Sequence, residues 1–307
     1  MIPVEAAIHH FRRGLTFSAL LRFALVGSAI ASVLLGRFFG QAFDEVIALS
    51  IIGFIWLLLS VSSAKGSRLV ADSPSLIATG QFDQAERQID EALRSFSLFR
   101  TVKFVSLHHL AVLRHAQRRW QESAMLCRAL LRHRLRGLEG LSKPSQLILA
   151  DALLEMGDTR GAHDAMRGLY QQRLSLGELL NLLLVQLDYQ ARIGDWTGMM
   201  SAVMAKVQLA ELLPPQQAAR AQAFLALAAK RCGRDDWADW LRRRAELLAD
   251  TQRLAAERPI IGELWEKKDA AESRPLGPQE QASSSPAGSA SYQPDASISA
   301  QPSVVQP

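Results

Sequence analysis

From Val46 to Ala64 the chain reads VIALSIIGFIWLLLSVSSA, nineteen residues without a charge. A helix needs roughly 20 such residues to cross the hydrocarbon core of a bilayer, so this run predicts a transmembrane helix rather than a helix of a soluble core. A second apolar run precedes it, Leu15 to Leu35, reading LTFSALLRFALVGSAIASVLL with Arg22 as its one charge. Arg22 lies near the first turns, where a long cationic side chain reaches the headgroups. Gly27, Ser28, Ala29, Ala31 and Ser32 are small enough to let the second helix approach closely. A cleaved signal peptide would also set Arg12 and Arg13 before an apolar run, but a second span beginning about ten residues later argues against release.

Flanking charge sets the expected orientation. Arg12 and Arg13 precede the first span, and Lys65 and Arg68 follow the second. The short connection carries Arg37 against Asp44 and Glu45. Cationic flanks stay on the cytoplasmic side, so both ends of the hairpin, and the bulk of the chain after it, are expected in the cytoplasm. The division this predicts is a cytoplasmic segment 1–14, two spans in 15–64, a helical domain in 65–259, and a linker and tail in 260–307.

The middle of the chain is rich in Leu, Ala, Arg, Gln and Glu and poor in β-branched and aromatic residues, a bias toward helix. One pattern recurs in it: a helix, a tight turn, a bulky residue, then a second helix with small residues on one face. Gly80-Gln81-Phe82 with Ala85 is the clearest copy. Arg118-Arg119-Trp120, Gly157-Asp158-Thr159 with Ala162, Gly194-Asp195-Trp196, and Gly233 with Trp237 follow. With Phe82, Trp120, Thr159, Trp196 and Trp237 as markers, the steps are 38, 39, 37 and 41 residues. Glycine takes the positive φ that stops one helix and reverses the chain. The bulky residue fills the gap between paired helices, and Ala85 and Ala162 allow the neighbour to come close. A single hairpin leaves an apolar face bare, so several must stack.

Gly80, Phe82 and Ala85 resemble the second-helix signature of the tetratricopeptide repeat, Gly-x-Tyr-x-x-Ala. Leu107, Leu110 and Ala111, then Leu149 and Ala150, resemble its first-helix positions. The likeness covers about Gly66 to Leu248 and implies an all-α solenoid of about five hairpins that binds other proteins, with a generic α-solenoid or an irregular helical bundle as the alternative. These units are longer than the family's, and the proline that usually closes each repeat is absent. Pro74, Pro144 and Pro214-Pro215 stand instead where helices are expected to begin. The layout of two spans followed by repeats is similar to that of bacterial inner-membrane repeat proteins. In the repeat register His108, His115, Asp151 and Asp188 fall on the concave face, with Asn181 one helical face away. The resemblance makes these five the candidate peptide-binding groove.

The sequence favours no chemistry. It holds no Walker loop, nucleophile elbow, HExxH or paired CxxC, so no enzyme, cofactor or metal site is expected. His108, His109 and His115 share a helix but lack further ligands, and Cys127 and Cys232 stand in separate units. The net charge is +5, and three basic clusters stand out. They are Arg114, Arg118 and Arg119; Arg128, Arg132, His133, Arg134 and Arg136; and Arg242, Arg243 and Arg244. Such clusters read first as solvated helix faces; as a contact surface, with no aromatic residues interleaved for stacking on bases, they fit anionic lipid or an acidic peptide better than nucleic acid. Beyond about Lys268 the chain turns to Ser, Ala, Pro and Gln, with too little apolar bulk to offset the entropy of ordering, and disorder is expected. The reading is thus a membrane-anchored interaction scaffold or assembly factor. Its rival is an integral subunit of a membrane enzyme or transporter, held by its spans.

Overall fold

The computed structural model describes residues 3–39, 42–95, 97, 100–133 and 139–265. Among them there is no strand, and the chain is all-α. The helices are α1 (Val4–Phe39), α2 (Ala42–Ala71), α3 (Ser73–Ala78), α4 (Phe82–Arg94), α5 (Arg100–Ala116), α6 (Trp120–Leu131), α7 (Glu139–Glu155) and α8 (Thr159–Tyr170). They continue as α9 (Leu176–Ile193), α10 (Trp196–Met200), α11 (Val203–Ala210), α12 (Pro215–Arg231), α13 (Asp235–Leu248), α14 (Thr251–Glu257) and α15 (Pro259–Gly262). The tail from 266 onward, Arg134 and Arg136 lie outside the described residues.

By length and composition α1 and α2 are both apolar enough to cross a membrane, and they pack on each other. From Phe17 upward α1 exposes Leu20, Phe23, Val26 and Ile30, while α2 exposes Ile51, Phe54, Leu57, Leu58 and Val61. A water-soluble surface rarely carries an apolar patch of that extent. The start of α1 differs from the separate segment expected over 1–14, because the helix is continuous from Val4. Val4, Ala7, Phe11 and Leu15, spaced to share one helical face, are buried in the core of the helical domain. The Phe11 ring meets Phe104 edge-on at 5.1 Å between centroids.

Below the hairpin the helices pair in chain order: α3 with α4, α5 with α6, α7 with α8, α9 with α10, and α12 with α13. The turn inside each pair is the same device. Gly80, Arg118, Gly157, Gly194 and Gly233 all have positive φ, between 59° and 79°. In each, that residue's N–H bonds to the carbonyl three residues back. The next N–H bonds to the carbonyl five back, as in Arg118 to His115 and Arg119 to Arg114. These are the paired bonds of a Schellman helix stop. The left-handed positions are 38, 39, 37 and 39 residues apart. Phe82, Trp120, Thr159 and Trp196 open the second helices, whereas Trp237 stands two residues into α13, whose first residue is Asp235. The aromatic marker of the fifth unit is therefore out of register by two, and the glycines give the truer period.

Small residues sit where the sequence places them, with Ala85 and Ala162 fully buried and Phe82, Trp120, Trp196 and Trp237 packed partly buried on the core. Pro74 and Pro215 open α3 and α12 as expected, but Pro144 lies inside α7, which begins at Glu139. The second helix of the fourth unit is broken at Ala202, φ 49°, into α10 and α11. First helices of successive pairs also touch, α5 with α7, α7 with α9 and α9 with α12. Full burial of Ile89, Leu107, Leu110, Leu126 and Leu153 contributes roughly 1.5–3 kcal/mol each. The packed region runs past the expected boundary at 259: Ile261 and Leu264 are buried, and the Trp265 indole donates to Glu246 at 3.0 Å.

Candidate functional site

The first helices of four successive units line one groove of about 400 Å³. Its apolar floor is Pro144, Leu147 and Ile148 of α7 with Leu184 and Val185 of α9. Its polar rim is His115, Asp151, Glu178, Asn181, Gln217 and Arg220. Three of the five residues expected to form a groove are therefore brought together: His115, Asp151 and Asn181.

His108 and Asp188 are placed differently. His108 is buried, and its Nδ1 pairs with the Ser145 hydroxyl at 2.8 Å. Burial, reinforced by His109, pushes its imidazole down to about 4, so it is neutral in the fold at physiological pH. His109 pairs likewise with Ser73 at 2.7 Å. Asp188 is fully buried at the end of the groove, inside a knot of charges.

That knot comprises Asp151 and Glu155 of α7, Asp188 and Arg192 of α9, Arg220 of α12, and Arg258 between α14 and α15. Asp188 is met by Arg192 at 2.8 Å, Arg220 at 3.2 Å and Arg258 at 2.8 Å. Asp151 takes His115 at 2.9 Å and Arg258 at 3.0 Å, and Glu155 takes Arg192 at 2.7 Å and Arg258 at 2.5 Å. Burial alone would raise the Asp151 carboxyl. The His115 hydrogen bond and the Arg220 and Arg258 charges more than reverse this, holding it well below the usual carboxylate range. The three carboxylates stand within 4.8 Å of one another, a spacing that would suit a divalent cation. Their oxygens already face three guanidinium groups, so the cluster is neutralised by its own chain and a further cation would meet positive charge.

A second internal knot holds the first units. Arg114, fully buried, reaches Glu86 of α4 at 2.9 Å, Glu122 of α6 at 3.1 Å and Gln117 at 2.8 Å. Compared with protein-family models, curated proteins and solved structures, the chain finds no match in any of the three.

Sequence reasoning passed over Glu155, Arg192, Arg220 and Arg258. Asp188 and Arg192 at i, i+4 carried a local signal of pairing. Arg258 carried none, since its contact with Asp151 joins residues 107 apart.

Proposed function

We propose that the chain is a membrane-anchored protein–protein interaction scaffold or assembly factor, a tetratricopeptide-like array tethered by a two-span hairpin. The observation that carries this reading is the groove across four first helices, with its apolar floor and polar rim, a form suited to an extended or helical segment of another protein. The knot at its end ties α7, α9 and α12 together and so holds the groove's shape. Anchoring such a surface beside the bilayer raises the effective concentration of a membrane partner. On this reading the repeats lie in the cytoplasm against a bacterial inner membrane, in keeping with the basic flanks of the spans.

The test is affinity capture of the tagged full-length protein from cross-linked native membranes. The comparisons are the double variant Ile148→Asp/Asn181→Arg and a chain lacking residues 66–258. A partner recovered with the full chain and lost with both is the expected result. Undiminished capture by the double variant sinks the groove assignment. Equal capture by the deletion favours the second reading, an accessory subunit of a membrane enzyme or transporter. The motivation for that reading is the broad apolar surface that α1 and α2 leave uncovered.

A further inference from the structure

Where α1 leaves the helical domain it passes over a pocket of about 290 Å³ that the groove does not involve. Its walls are His10, Arg13, Gly14 and Phe17 of α1, Leu93, Arg94, Ser95 and Ser97 at the end of α4, and Lys103 of α5. Cationic groups predominate. Arg13 is exposed, and Arg94 is largely exposed while pairing with Asp90 at 2.9 Å. Lys103 is buried beneath α1, its Nζ donating to the Ala92, Leu93 and Ser95 carbonyls at 3.1, 2.6 and 2.5 Å. Its three donors are thus spent on the carbonyl end of α4, so it contributes charge and no free hydrogen bond. A Cβ at Gly14 would lie 3.2 Å from the Lys103 Cε, so glycine there lets α1 settle directly over the lysine stem. Arg12 and Arg100 extend the positive collar toward His133, whose imidazole is pushed down by burial and then by those two charges.

The pocket's height along α1 is as telling as its charge. Arg13 lies one helical turn, about 6 Å, before Phe17, the residue at which the exposed apolar surface begins. That turn is where the phosphate layer of a bilayer meets a helix entering it. We infer that this pocket binds the headgroup of an anionic phospholipid, with Arg13, His10 and Arg94 facing its phosphate and its acyl chains lying along Phe17, Leu20 and Phe23. The inference rests on the membrane-spanning reading of α1 and α2. The site would fix the angle at which the helical domain sits on the membrane, because both walls must close on one headgroup.

The experiment uses the full chain in neutral detergent micelles, observed by native mass spectrometry with phosphatidylglycerol or phosphatidylcholine added at equal concentration. One phosphatidylglycerol is retained preferentially. The double variant Arg13→Gln/Arg94→Gln lowers that retention about 30-fold, to the phosphatidylcholine level. Arg243→Gln, on the distant α13, leaves it unchanged. Equal retention of the two lipids by the native chain overturns the proposal, as does unchanged retention by the double variant. Displacement of the lipid by millimolar inorganic phosphate would overturn the lipid in favour of a free anion. A parallel arm separates the underlying reading: alkaline carbonate that strips the protein from native membranes refutes the spans themselves. A protein that stays in the membrane yet ignores lipid charge refutes the pocket alone.

Discussion

Replacing Arg118 by glycine is expected to stabilise the protein, against the usual cost of introducing glycine beside a helix. Arg118 has φ 59° and occupies the same left-handed helix stop as Gly80, Gly157, Gly194 and Gly233, with the same pair of backbone bonds. A side chain in that conformation costs roughly 1–2 kcal/mol. Glycine removes that cost but enlarges the unfolded ensemble, at about 0.5–1 kcal/mol. The net gain is about 0.5–1 kcal/mol, or about 1–4 °C in Tm for a domain of this size. The exposed Arg118 side chain lies outside the core, so its loss opens no cavity. Gly157→Ala supplies the mirror experiment. An added Cβ there meets nothing within 4 Å, so the net loss is backbone strain less the unfolded-chain entropy that alanine removes, and it should match the Arg118→Gly gain with opposite sign. Both are read by tryptophan fluorescence during thermal unfolding of the full chain in detergent. A lowered Tm in Arg118→Gly, with Gly157→Ala behaving as expected, would refute the equivalence of the second turn with the other four.

Three further outcomes follow from the buried charges. Glu86→Ala leaves the fully buried Arg114 guanidinium short of its closest carboxylate, and the expected loss is about 3 kcal/mol, or about 6–12 °C in Tm. His108, held at about 4 against an ordinary 6.5, is protonated first in the unfolded chain on acidification. Its contribution is complete above pH 6.5 and lost as pH falls toward 4, up to about 3 kcal/mol, so His108→Gln should flatten the fall in Tm between pH 7.5 and 5; parallel curves would exclude it. Arg258→Ala removes one of three cations from the buried Asp188 at an expected cost of about 2 kcal/mol, less than a full pair because Arg192 and Arg220 remain. Amide exchange over 251–265 should speed up selectively, and unchanged protection there would show that Arg258 does not hold that segment.

The turns were legible because their chemistry is local. A residue that must adopt positive φ is usually glycine, and four of the five announce themselves; the fifth was found by spacing. The fifth unit's aromatic misled by two residues, since a gap-filling side chain can reach from neighbouring positions while a Schellman stop cannot move. The pairing of Val4, Ala7, Phe11 and Leu15 with the core has helical spacing, but it was masked by its proximity to a longer apolar run. In the groove, His115 and Asp151 followed from their register, and Asn181 from the helical face beside it. His108 and Asp188 share that register yet point into neighbouring helices. Arg258 was illegible for a different reason: its partners depend on the path of α14 and α15 back across the first helices, which no periodicity encodes.

Four of the polar ties share one measure. His109 to Ser73, His108 to Ser145, His115 to Asp151 and Arg192 to Glu155 each join residues 36 or 37 apart, one unit along the chain. Buried ion pairs and hydrogen bonds add little net stability over well-packed apolar residues, because desolvation consumes most of their attraction. Their effect lies in discrimination. The apolar faces they accompany are smooth and repetitive: Ala218, Ala219, Ala221, Ala223, Ala226, Ala228 and Ala229 of α12 are all buried. Such surfaces tolerate a neighbour shifted by a turn at small cost in area. A shifted neighbour would instead strand the Asp188 carboxylate or the His108 imidazole without its partner, a penalty of several kcal/mol. The ties therefore favour one packing of the helix pairs, the one in which α5, α7, α9 and α12 line the groove.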